Sequence, residues 1–234
     1  MSKILITSSG FLKNAPKEQI KAALPPSTYK KVAYITTASK VVEDSSYAEK
    51  EAEIMRDLGY EVDEIDLAEV PSETLEGRLR GNDFIYVQGG NPYYLLKNVR
   101  ESGFADIAPK LIKEGIPYVG KSAGAYILAP EVLPPTWYSK EWRKFDVENL
   151  DGMGIVDFVW AAHYDPEDEE MKEDIQRGIE SSPYPVRVIT NDQGFLIEDD
   201  KVQFFGEGKE HILDPELKPE GHTGFKEEQE VNFK

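Results

Sequence analysis

Residues 116–130 read IPYVGKSAGAYILAP. Ile116 to Val119 is an apolar run that predicts a strand, and AYIL, from Ala125 to Leu128, suits a helix. Between them stands Gly120-Lys121-Ser122-Ala123-Gly124, a G-x-S-x-G turn of the kind that holds a nucleophilic serine. The spacing has a physical reason. A strand that turns sharply into a helix brings backbone onto backbone, and a glycine two residues either side of the serine removes the Cβ atoms that would collide. The N–H of the residue after the serine, Ala123, then faces any oxyanion formed above the serine Oγ. The same letters also build ordinary strand-to-helix turns, so the motif takes its weight from the strand before it and the helix after it.

Working outward, short apolar runs alternate with longer polar stretches. Strands are expected at Lys3–Thr7, Lys31–Thr37, Glu61–Leu67, Asp83–Gln88, Ile155–Ala162, Val186–Thr190, Gly194–Glu198 and Lys201–Phe205. Helices are expected at Gln19–Ala23, Tyr47–Leu58, Pro71–Leu79, Tyr93–Arg100, Ala105–Glu114 and Glu167–Ile179, the last capped by Asp165 with Pro166 at its first position. Nearly all-apolar strands alternating with helices predict a three-layer, doubly wound α/β fold with a mostly parallel sheet and a C-terminal hairpin turning at Asp199-Asp200. One domain is expected over 1–234, with 215–234 a polar tail. Residues 130–154 break the pattern and read as an irregular excursion over one edge of the sheet.

The chain has 234 residues, no cysteine, and 44 Asp and Glu against 27 Lys and Arg, a formal net charge of -17. The missing cysteines exclude a disulfide scaffold, a thiolate metal site and a cysteine nucleophile. So negative a chain argues against a nucleic-acid partner, which needs a basic surface. Neither an apolar run long enough for a membrane span nor a secretory leader is expected, so a cytoplasmic location is.

In an open parallel sheet, function collects at the C-terminal ends of the strands. Here that edge gathers Thr7-Ser8-Ser9-Gly10, Thr36-Thr37, Gly89-Gly90-Asn91, Ser122 and His163. Gly89 and Gly90 let the backbone approach a substrate, and Asn91 doubles as a helix cap. A serine needs a base. Of the three histidines, His163 ends an apolar strand, whereas His211 and His222 read as surface residues. Glu141, Asp146 and Asp157 lie between Ser122 and His163, and Asp165 follows it. Any of them could orient the imidazole. His163 and Asp165 could also begin a metal site, but no third ligand stands near, and none is expected. Lys121 adjoins the serine but points away from it.

YVQGGNPYYLL (86–96), IPYVGKSAGAYILAP (116–130) and AAHYD (161–165) together resemble the dipeptidase E and cyanophycinase family of serine peptidases. The N-terminal ITSSGF, the ITTAS after the second strand and the GFLIEDDKVQFFG hairpin resemble it too, so the likeness runs to about residue 213. It implies an amidotransferase-like (flavodoxin-like) fold with Ser122 as nucleophile and His163 as general base. It also implies an oxyanion hole from the N–H groups of Gly90 and Ala123. Gly89 and Asn91, in the same loop, are expected to line the substrate site. Glu141, 22 positions before His163, is the family-like choice for the orienting acid, although its local motif departs from the family's. No cofactor is implied.

The implied substrate is a small peptide, such as a dipeptide with an N-terminal aspartate, which would need a cationic pocket. Lys121, Arg143, Lys144 and Arg187 are candidates, each taken singly a solvated surface charge. A homodimer is left open. The rival readings are an α/β-hydrolase-type esterase with His211 as base, and an inactive amidotransferase-like binding module.

Overall fold

The computed structural model describes residues 2–138, 145, 147–199 and 201–211. Five parallel strands form the centre of a seven-stranded sheet: β1 (Lys3–Thr7), β2 (Lys31–Ile35), β3 (Glu61–Ile65), β4 (Phe84–Val87) and β5 (Tyr118–Lys121). The antiparallel hairpin of β8 (Gly194–Glu198) and β9 (Lys201–Phe205) extends it beyond β1, giving the order β3-β2-β4-β5-β1-β8-β9. The expected mostly parallel α/β fold with a C-terminal hairpin is therefore present.

Strand periodicity sorts the core into two layers. Ile4, Ile6, Ala33, Ile35, Ile85 and Val87 face one side, where α3 (Ser72–Arg80), α4 (Pro92–Glu101) and α5 (Phe104–Lys113) supply Leu79, Leu95 and Leu111. Leu5, Val32, Tyr34, Phe84 and Tyr86 face the other, against Ile20 of α1 (Asn14–Ala23) and Met55 of α2 (Ser46–Asp57). Both faces are covered, so the central strands are apolar on both sides rather than alternating. The chain first moves outward from β1 to β3 under one set of helices. It then returns through β4 and β5 under the other, as right-handed crossovers require.

Several details differ from the sequence reading. β5 starts at Tyr118 because Pro117 has no N–H for the ladder; its carbonyl still accepts from Ile85 at 2.9 Å. The strand expected at Ile155–Ala162 shortens to β6 (Val159–Ala161) and leaves the main sheet, pairing in parallel with β7 (Val186–Val188) in a separate two-stranded sheet. The acidic helix α8 (Glu169–Ser181) is capped by Asp168, whose side chain accepts from the Met171 N–H, and not by Asp165. Part of the 130–154 stretch folds as a short helix, α7 (Pro135–Tyr138), and the 215–234 tail lies outside the described residues. No described helix is long and apolar enough to cross a membrane.

Candidate active site

Ser122 joins β5 to the short helix α6 (Ala123–Tyr126) with φ 47° and ψ -112°. A non-glycine residue held there carries on the order of 1–3 kcal/mol of strain, which the surrounding contacts must offset. They are specific. The Ser122 N–H donates to the Thr7 carbonyl at 2.9 Å, and its own carbonyl accepts from Ala125 and Tyr126 at 2.8 and 2.9 Å. The flanking glycines are needed for the reason the motif suggests. A Cβ at Gly124 would lie 2.0 Å from the Val87 carbonyl oxygen, and one at Gly120 would lie 2.6 Å from Ala125 Cα.

His163 follows β6 and bends back over β1 and β5. Its Nε2 lies 2.9 Å from Ser122 Oγ. Its Nδ1 lies 2.7 Å from Asn191 Oδ1 and 3.1 Å from Ser8 Oγ. Its backbone N–H donates to Ser8 Oγ at 2.9 Å, which fixes the residue at its positive φ of 63°. Asn191, three residues past β7, also receives Ser9 Oγ at 2.9 Å. The amide oxygen can only accept, so Nδ1 carries the proton and Nε2 offers its lone pair to the serine hydroxyl. Burial lowers the His163 pKa below its ordinary value and the Lys121 ammonium lowers it further, while the Asn191 hydrogen bond opposes both. The imidazole is thereby kept neutral near pH 7, the form in which it can accept a proton.

The β4–β5 register pairs Val87 with Gly120, so Gln88 to Gly90 runs alongside Lys121 and Ser122. A Cβ at Gly89 would be 3.2 Å from Ser122 Cβ. Gly90 has φ +142°, and a Cβ there would fall 2.1 Å from the Ala38 carbonyl oxygen, so only glycine fits. Among the described residues, no acceptor is paired with the N–H of Gly90 or of Ala123. Asn91 caps α4, its Oδ1 accepting from Tyr93 and Tyr94 at 3.0 Å each.

Glu141 and Asp146 lie outside the described residues. Asp157 is exposed in a bend before β6. Among the described residues it is Asn191 and Ser8 that stand at Nδ1, where the sequence reading expected an acid. Lys121 and Arg187 were expected at the solvated surface and are not there. Lys121 is 5% exposed and binds Glu51 at 2.8 Å. Arg187 binds Glu210 at 2.9 Å, its side chain largely covered. Arg143, Lys144 and His222 lie outside the described residues. The ring of His211 packs edge-on against Tyr164, 4.9 Å between centroids. Asp165 is exposed, with Oδ1 accepting from the Glu167 N–H.

A serine on a strained strand-to-helix turn, hydrogen-bonded to an imidazole at the C-terminal edge of a parallel sheet, is the arrangement of a serine hydrolase. The chain belongs to peptidase family S51, whose model matches residues 4–205. It is 30% identical over 178 residues to an uncharacterized peptidase of Listeria innocua, covering 74% of this chain and 83% of that protein. It is 28% identical over 138 residues to Peptidase E of Nostoc sp., covering 59% and 54%. A crystal structure of a candidate Peptidase E from Listeria monocytogenes EGD-e superposes with TM-score 0.76 at 30% identity, covering 89% of this chain and 100% of that one. A peptidase from an acI-B1 actinobacterium shares the fold at TM-score 0.63 and 19% identity, covering 91% of each chain.

Proposed function

We propose that this protein is a serine peptidase of small peptides that works through Ser122 and His163. The observation that carries the reading is the 2.9 Å contact between Ser122 Oγ and His163 Nε2 on a turn that strains the serine backbone. Ser122 Oγ attacks the scissile carbonyl as its proton passes to Nε2. The oxyanion is held by the N–H groups of Gly90 and Ala123. His163, now protonated, gives the proton to the leaving amine, the acyl-serine forms, and water hydrolyses it by the reverse sequence. Asn191 keeps Nδ1–H in place throughout and takes the role that an acid would hold in a charged triad.

The substrate class that the resemblance implies is a dipeptide with an N-terminal aspartate, and this is the finer part of the proposal. The esterase reading asked for His211 as base, and the contact of His163 with the serine favours the peptidase reading over it. The test is hydrolysis of a panel of dipeptides with aspartyl, glutamyl, neutral and basic N-termini, with Ser122→Ala alongside. Turnover of Asp-Xaa that Ser122→Ala removes is expected. Turnover that survives the substitution would sink the serine mechanism, and equal turnover across the panel would sink the aspartyl preference.

A further inference from the structure

Next to the serine lies a buried polar cluster that the mechanism does not use. Glu51 of α2 is 0% exposed and accepts four hydrogen bonds, two on each oxygen. The Phe11 N–H and the Tyr86 hydroxyl reach Oε1 at 2.6 Å each, while Gln88 Nε2 and Lys121 Nζ reach Oε2 at 2.6 and 2.8 Å. Gln88 Nε2 also meets the Tyr34 hydroxyl. The donors come from the C-terminal ends of β4 and β5 and from the turn after β1, so one carboxylate ties together the strand ends beneath the site.

Two arms leave this cluster, and both end on Gly89. Gln88 Oε1 accepts the Gly89 N–H at 2.7 Å. Tyr47, one helical turn before Glu51 and on the same face of α2, donates its hydroxyl to the Gly89 carbonyl at 3.2 Å. The Lys121 ammonium sits 5.0 Å from the centroid of the Tyr47 ring, held there by Glu51. The Gly89 carbonyl and the Gly90 N–H belong to one planar peptide unit in which the two bonds point in opposite directions. Fixing the carbonyl therefore fixes the N–H. Neither Gly89 nor Gly90 has a side chain with which to brace that plane, so the brace comes from outside the loop.

We infer that Tyr47 is a positioning residue: its hydroxyl, bonded to the Gly89 carbonyl, aims the Gly90 N–H at the oxyanion above Ser122. A hydrogen bond on the carbonyl also polarises the peptide and makes its N–H the stronger donor. The 3.2 Å contact is long for a hydroxyl donor and shortens as charge develops on the oxyanion. Burial, with Glu51 adding to it, pushes the Tyr47 hydroxyl up to about 12, so it stays protonated and remains a donor across the working range of a histidine base. The inference rests on the reading of Ser122 as nucleophile and Gly90 N–H as oxyanion donor.

The test uses a fluorophosphonate, whose phosphorus is attacked by an activated serine Oγ with loss of fluoride and whose phosphoryl oxygen occupies the oxyanion site. Labelling is followed over a range of probe concentrations for native protein, Ser122→Ala and Tyr47→Phe. Tyr47→Phe is expected to lower the limiting labelling rate about tenfold, with the apparent probe affinity and the pH midpoint set by His163 unchanged. Native labelling rates in Tyr47→Phe overturn the inference, as does a loss confined to probe affinity, which would make Tyr47 a ligand contact. Labelling that survives in Ser122→Ala would overturn the underlying reading instead. A thermal melt confirms that the variant folds.

Discussion

The Nδ1 atom of His163 lies 2.7 Å from the Oδ1 atom of Asn191, so a neutral amide stands behind the imidazole that meets Ser122. An amide orients the ring and fixes its tautomer, but it adds no charge to stabilise an imidazolium. Asn191→Ala should therefore lower kcat by about ten- to a hundredfold, the worth of one hydrogen bond to a group that becomes charged. A steady-state assay on the panel substrate checks this; an unchanged kcat would remove Asn191 from the mechanism.

The same pair sets the pH dependence. The His163 pKa is lowered, chiefly by burial, and the proposed mechanism needs the neutral ring. Activity should thus be lost only as pH falls through a midpoint below about 6.5, the ordinary histidine value. Asn191→Asp puts a carboxylate beside the ring, favours the imidazolium and should move that midpoint upward. A kcat/KM profile of native and variant protein measures both midpoints, and a variant midpoint that stays put or falls would contradict the assignment.

Gly90 should tolerate no side chain. In Gly90→Ala the new Cβ would fall 2.1 Å from the Ala38 carbonyl oxygen at a φ of +142°. The loop must move, and with it the proposed oxyanion donor. A rate loss of about a hundredfold or more is expected, with the protein still folded. Full activity would show that this N–H is not used.

Lys121→Met should be severely destabilising because it leaves Glu51 charged and buried without its cation. Breaking such a pair costs about 3–5 kcal/mol. Arg80→Ala removes contacts with Glu76 and Glu114 on the open surface and should leave the denaturation midpoint unchanged within error. Chemical denaturation of the two variants side by side tests the contrast.

Much of the fold was legible because apolar strand runs and helix signals are local. Ile4, Ile6 and Leu5 already carry the two-faced pattern, and Asn91 announces its own cap. The elbow was legible too, since Gly120 and Gly124 are demanded by contacts within six residues of chain and one neighbouring strand. The partner at Nδ1 was not. Asn191 is 69 positions from Ser122 and reaches His163 only because β6 and β7 pair in their own small sheet. Its one sequence signal is that the strand expected at Val186–Thr190 ends in small polar residues, like those that lead to Ser8, Thr37 and Asn91. Lys121 and Arg187 were misread because a single charged letter does not reveal an ion-pair partner 70 or 23 residues away. Tyr47 and Glu51 lay hidden for the same reason, inside a helix that otherwise reads as a solvated surface element.

The most direct test of the central claim is to map the site of fluorophosphonate modification by peptide mass spectrometry in native protein and in His163→Ala. A single adduct on Ser122 that forms readily in native protein and at least about a hundredfold more slowly in His163→Ala is predicted. An adduct on another serine, or labelling of Ser122 that does not depend on His163, would contradict the account.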